Sequence, residues 1–177
     1  MKKRILRWEL GGIAFIVILG TLLHFAFDWS GRSTPIGAIA AVNESVWEHL
    51  KLGFWPALMY MALEYGRFGK SANNFRFAKT LGIYLIPITI VVLYYSYTAI
   101  LGHGVLMVDI AIFVVAVAVG QLLSYKLMIA APIPARVNRF ARIALVLLGI
   151  LFVLFTFYPP RLPLFRDPIS GGYGIVE

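Results

Sequence analysis

Apolar residues run along this chain in five long blocks separated by short polar stretches, at about 9–29, 45–66, 78–101, 104–130 and 140–158. Each is long enough to cross a hydrocarbon core, which takes roughly 20 helical residues. Within a bilayer the backbone must satisfy its own hydrogen bonds, which leaves helices or closed barrels. A barrel strand alternates apolar and polar positions, whereas Val105–Val119 is apolar over most of its length, so the pattern predicts helices. The expectation is an all-α, polytopic membrane helix bundle of five transmembrane helices forming one domain over 1–177.

Composition agrees. Of the 177 residues 60% are hydrophobic and 14% charged, and the mean hydropathy is +0.84, outside the soluble globular range. The net charge of +8 would suit a nucleic-acid partner, but the placement of the charges argues otherwise. Twelve of the sixteen basic residues lie before the first block or in the segments joining blocks two to three and four to five: Lys2, Lys3, Arg4, Arg7, Arg67, Lys70, Arg76, Lys79, Lys126, Arg136, Arg139 and Arg142. By the positive-inside rule this predicts a cytoplasmic N-terminus and an extracytoplasmic C-terminus, in a multi-pass protein of the cell membrane with the lipid bilayer rather than nucleic acid as its partner. Met1-Lys2-Lys3-Arg4 before an apolar run resembles a signal peptide, but Ala38-Ile39-Ala40 lies too far downstream to serve as its cleavage site, so the first block is expected to be a retained anchor. With no cysteine, disulfides, thiolate metal sites and cysteine catalysis are excluded.

Against this apolar background Asn43-Glu44-Ser45-Val46-Trp47-Glu48-His49-Leu50-Lys51 stands out, with two carboxylates, an imidazole and an ammonium group in nine residues. Asn43 or Ser45 can cap the following helix, and Glu44 and Glu48 suit the positive end of its dipole. Lys51 can pair with Glu48. Asn43-Glu44-Ser45 also fits a glycosylation acceptor, though it sits close to a membrane helix. The first block ends with His24 and Asp28 one helical turn apart, and the predicted topology puts them on the same outer side as the Asn43–Lys51 run.

Two helices carrying imidazole and carboxylate groups are the usual ingredients of a bundle metal site, here His24, Asp28, Glu48 and His49 around a divalent ion such as zinc. The same groups could instead work as acid and base, with Glu44, Glu48 and His49 as the catalytic set. Either would make the chain a membrane enzyme or a ligand-binding protein acting on a lipid or another small membrane-accessible molecule. Two other classes stay open. One is a small transporter or proton-linked channel with Glu64, Gln121 and Tyr125 towards the inner exit. The other is a structural or assembly subunit, and a homo-oligomer is compatible with each. A structural role for the whole cluster, as a capped helix start, is equally open. Glu64 is expected to pair with Arg67 at the interface, Asp109 to cap the fourth block or pair with an arginine of the tail, and His103 to be solvated in a tight hairpin. Ala116 and Gly120 form a small-xxx-small pair. The tail, 159–177, is too rich in proline and glycine for a helix and should fold over the outer site.

Three segments, His24-Phe25 through Asp28-Trp29-Ser30-Gly31, Asn43–Lys51 with Trp55-Pro56, and Pro159-Pro160 through Tyr173-Gly174, together resemble a family of short multi-pass prokaryotic membrane proteins of unknown function. The resemblance spans nearly the whole chain and implies no activity for any residue.

Overall fold

The computed structural model describes residues 1–175. It is all-helical apart from a single bridge in the tail: α1 (Lys2–Trp29), a short α2 (Thr34–Gly37), α3 (Val46–Phe68), α4 (Phe75–Leu101), α5 (Leu106–Met128) and α6 (Ala135–Phe157), followed by one 3₁₀ turn at Pro163–Phe165. Four of these helices, α1, α4, α5 and α6, are long and apolar enough to cross a membrane. The five expected spans reduce to four on that measure. The second block does form a helix of 23 residues, α3, but Glu48, Lys51, Glu64 and Arg67 interrupt its apolar character.

α1, α3, α4 and α5 close into a ring in that order, with α1 against α3 and α5, and α4 against α3 and α5; α6 lies outside, against α4. The closest approach is between α4 and α5. A Cβ on Gly82 would stand 2.5 Å from the Gly120 carbonyl oxygen, and one on Gly120 would stand 2.6 Å from that of Gly82. The Ala116/Gly120 pair thus faces a third small residue on α4, which lets the two backbones touch.

The helix ends sort into two groups. At one end Ile5 of α1, Phe68 of α3, Phe75 and Ala78 of α4, and Met128 of α5 form an apolar cluster. Asn74, in a left-handed conformation with φ 54°, ties this end together. Its amide donates to the Leu127 and Ala131 carbonyls at 3.1 and 2.9 Å, and its side-chain oxygen accepts from the Ile133 amide at 2.8 Å. At the other end the tail folds back onto α3. Phe165 packs on Trp47, their ring centroids 4.8 Å apart, and Asn43 Nδ2 donates to the Gly174 carbonyl at 2.7 Å.

α3 begins as its sequence dictates. Ser45 is the N-cap, accepting from the Glu48 amide at 3.4 Å, while Asn43 Oδ1 accepts from the Ser45 amide at 2.8 Å. The sequence Ser-x-x-Glu usually closes a capping box. Here Glu48 reaches past it, and its Oε2 accepts from the Val42 amide at 3.1 Å. That contact folds 37–42 into the bundle, where Ala40, Ala41 and Val42 are buried near Phe27.

Glu48 and Lys51 are both buried and pair at 2.6 Å. Lys51 Nζ also donates to the Gly37 carbonyl at 2.8 Å and to Thr156 Oγ1 of α6 at 2.7 Å, and the Thr156 hydroxyl donates to Glu48 Oε1 at 3.0 Å. One pair thus joins α3, α6 and the segment after α2. Removing one partner of a buried ion pair strands the other charge. Lys51→Met should therefore lower unfolding stability in detergent by about 3–5 kcal/mol, and Glu48→Gln/Lys51→Met should recover most of that loss. A single variant as stable as the parent would refute the assignment.

Candidate metal centre

The last turn and a half of α1 and the first turn of α3 lie side by side at the tail end of the bundle. His24 and His49 meet there with their Nε2 atoms 3.2 Å apart. Glu44, in the irregular segment just before α3, places Oε2 3.4 Å from His49 Nε2 and 3.7 Å from His24 Nε2. His24, Glu44 and His49 form a cluster that could hold a metal ion. Four ligands at 2.0–2.2 Å in a tetrahedron stand roughly 3.3–3.6 Å from each other. The three separations, 3.2, 3.4 and 3.7 Å, lie within about 0.1 Å of that range, as one face of such a tetrahedron requires. The side chains keep 30%, 41% and 33% of their surface for His24, Glu44 and His49, so the cluster has an accessible side.

The protonation of His49 follows from its other nitrogen. Nδ1 lies 2.9 Å from the Ser45 carbonyl, which can only accept, so Nδ1 carries the proton and the neutral ring offers a lone pair at Nε2. This is the orientation a metal-ligating histidine needs, and the Ser45 carbonyl supplies the usual outer partner. His24 Nδ1 is buried without a hydrogen-bond partner among the described residues. A metal ion here would be held by His24 Nε2, His49 Nε2 and a Glu44 carboxyl oxygen.

The structure brings together half of the metal set expected from spacing. His24 and His49 meet, but Asp28 is exposed one turn further along α1 and outside the cluster, and Glu48 is turned inwards to Lys51, Thr156 and Val42. Glu44 takes the carboxylate position. Of the acid–base set, Glu44 and His49 are in contact, while Glu48 sits in its own ion pair. Residue 44 precedes the first helical residue, so Glu44 and Glu48 do not share a helix face.

Three further expectations need correcting. Glu64 pairs with Lys79 at 2.5 Å, both fully buried, and not with Arg67, which stacks on Trp8. Lys79, read as part of a cytoplasmic loop, is a helical residue inside the bundle. Asp109 accepts a hydrogen bond from the Tyr97 hydroxyl on α4, not from a tail arginine. The tail meets Asn43 and Trp47 beside the cluster, and none of its described residues is among the cluster's ligand atoms. Because the Asn43 amide nitrogen is bonded to Gly174, a glycan there would displace the tail.

An apolar groove of about 590 Å³ lies elsewhere, between α3 and α6, lined by Phe54, Trp55, Leu58 and Gly149 among others. It does not reach His24, Glu44 or His49, and the polar cluster is the better seat for chemistry.

The fold and this site define a class: an all-helical protein with four helices long and apolar enough to cross a membrane and a His/Glu cluster at one end of the bundle. The chain belongs to a family of unknown function, DUF6512, whose model matches residues 1–175. No curated protein and no solved structure matches it.

Glu44 gives the cluster a pH signature. Its carboxyl is held well below its ordinary value of 4.5 by its contact with His24 and then by that with His49, which outweigh partial burial. A depressed folded-state pKa stabilises above the ordinary value and loses that contribution as pH falls towards the lowered one. The melting temperature of Glu44→Gln should therefore fall below that of the parent at pH 6, and the gap should close in strong acid. A gap that widens on acidification would refute the contact.

Proposed function

We propose that this protein is a membrane-embedded metalloprotein with a divalent ion, zinc in the simplest case, held by His24, Glu44 and His49 at the extracytoplasmic end of the bundle. The observation that carries this reading is the convergence of three ligand atoms at tetrahedral separations with one side accessible. That set, two histidines and a glutamate plus an open position, is one used by catalytic rather than structural zinc. A bound ion there would act as a Lewis acid and activate water or a substrate oxygen. The protein's own residues supply orientation: Ser45 fixes the His49 tautomer, and Asn43 fixes the Ser45 backbone.

The substrate class we assign is a lipid or another molecule reaching the site from the outer interface. In the same reading α3 makes a fifth crossing. Its 23 residues extend about 34 Å, from the His24 end of α1 to the cluster that holds the opposite end of α1 with the ends of α4 and α5. The basic residues Lys2, Lys3, Arg4, Arg67, Lys70, Arg76 and Arg136 favour the Ile5–Phe68–Met128 end as cytoplasmic. A channel is the weaker reading, because α3 buries Leu52, Phe54 and Ala57 between its two charged ends and presents no polar path.

Metal analysis of protein purified without chelator tests the proposal. One ion per chain is expected, removable by chelator and restored by zinc. His24→Ala, His49→Ala and Glu44→Ala should each weaken zinc binding at least tenfold, and Asp28→Asn should leave it unchanged. Binding should weaken as pH falls, because protons compete with the metal for imidazole. A parent protein that binds no zinc, or a His24→Ala/His49→Ala variant that binds it as tightly, would overturn the assignment.

A further inference from the structure

The second buried charge cluster, at the basic end, is not explained by the metal centre. Lys79 Nζ on α4 lies 2.8 and 2.9 Å from the two carboxyl oxygens of Glu9 on α1, 2.5 Å from Glu64 Oε2 on α3, and 3.4 Å from Gln121 Oε1 on α5. All four helices of the ring contribute one side chain. Glu9 and Glu64 have no exposed surface, Lys79 keeps 1% and Gln121 3%.

The charges here do not balance. Glu48 and Lys51 cancel one to one, and a hydroxyl and an amide complete their hydrogen bonds. In the inner cluster two carboxylates face a single ammonium group, which leaves one net negative charge buried among apolar helices, where an unpaired charge costs several kcal/mol. The surrounding groups do not supply the missing positive charge. The Tyr60 hydroxyl is committed to the Trp8 carbonyl at 2.6 Å, with its ring 5.9 Å from Lys79 Nζ, and Arg67 stacks on the Trp8 ring. Gln121 is neutral.

Hydrogen bonding shows the same deficit independently. Glu64 Oε1 and Gln121 Nε2 are buried with no hydrogen-bond partner among the described residues. The Glu9 and Glu64 carboxyl groups converge on the same Lys79 Nζ, at 2.8 and 2.5 Å. Two ionised carboxylates cannot bond to each other, but a carboxyl and a carboxylate can. The packing is close: a Cβ on Gly12, one turn from Glu9, would stand 2.1 Å from Gln121 Nε2 and 2.6 Å from the Tyr60 ring.

We propose that Glu9, Glu64 and Lys79 form a binding site for one exchangeable proton, shared between the two carboxyl groups and held against the ammonium group inside the bundle. With that proton the cluster is neutral, and Glu64 has a partner for its orphaned oxygen. The site lies about 24 Å along α3 from Glu48, since 16 residues separate Glu48 from Glu64. Proton exchange would occur at the basic end, past Trp8 and Arg67.

Infrared spectroscopy of the full chain in lipid nanodiscs, in H2O and D2O at neutral pH, tests this. It is run on chelator-treated protein so that the metal assignment can fail without affecting the result. The parent should show a protonated-carboxyl C=O band equal to one group per chain and shifted down on deuteration. Glu9→Gln and Glu64→Gln should each abolish it, because each leaves one carboxylate opposite one ammonium, and either variant suffices if the other fails to fold. Asp28→Asn should keep the band. A parent with no such band, or a band that survives in a folded Glu9→Gln or Glu64→Gln variant, would overturn the proposal. A parent lacking the band whose melting temperature rises selectively with sodium or potassium would overturn it in favour of an alkali ion.

Discussion

Charge buried inside an apolar bundle has to be matched where it sits, and the architecture of this protein follows from that constraint acting on α3. This helix carries Glu48 and Lys51 near one end and Glu64 near the other, all without appreciable exposure. Each group has drawn another element onto α3. Lys51 and Glu48 hold the segment after α2 and Thr156 of α6, while Glu64 shares Lys79 with Glu9 and so gathers α1 and α4, with Gln121 of α5 alongside. Buried ion pairs add little net stability compared with apolar packing, but removing one partner costs much more. Their effect is to fix which helices are neighbours and in what register.

That register places the His/Glu site. Glu48 pulls the 37–42 segment inwards through the Val42 amide, and Asn43 fixes the Ser45 amide, so Glu44 is left between the ends of α1 and α3 where His24 and His49 meet. The two carboxylates of one short run thereby take opposite roles. One is a buried counter-ion, and the other is a partly exposed carboxylate beside two imidazoles. In the inner cluster two carboxylates share one cation, and that imbalance leaves a place for a proton. The two ends of α3 thus carry chemistries of different kinds within a single packing solution.

Much of this was legible in the chain. The five helices of full length came from apolar block lengths, with ends within a few residues of those expected except where α1 and α6 extend back into their basic flanks. Ser45 as cap, the Glu48–Lys51 pair, and the contact of His24 with His49 also followed from spacing and side. Glu9 was overlooked, although it is a carboxylate inside the first apolar block, because it lies at the basic end and resembles a flanking charge. An unexplained carboxylate in one span and a lysine at the start of another were the available signal for the inner cluster. Spacing alone had no means of pairing them, since 70 residues separate Glu9 from Lys79.

By itself the sequence determined that the chain is helical, that its charges gather at defined helix ends, and which residue types could carry chemistry. These properties depend on local backbone hydrogen bonding and on transfer between water and lipid, both of which are read along the chain. Only the tertiary structure decided that Glu44 rather than Glu48 joins the histidines, and that Glu64 faces Lys79 and Glu9 rather than Arg67. Those choices depend on which helices lie side by side and on which side of α3 each carboxylate points. Electrostatic matching across a distance of a few ångströms is set by packing.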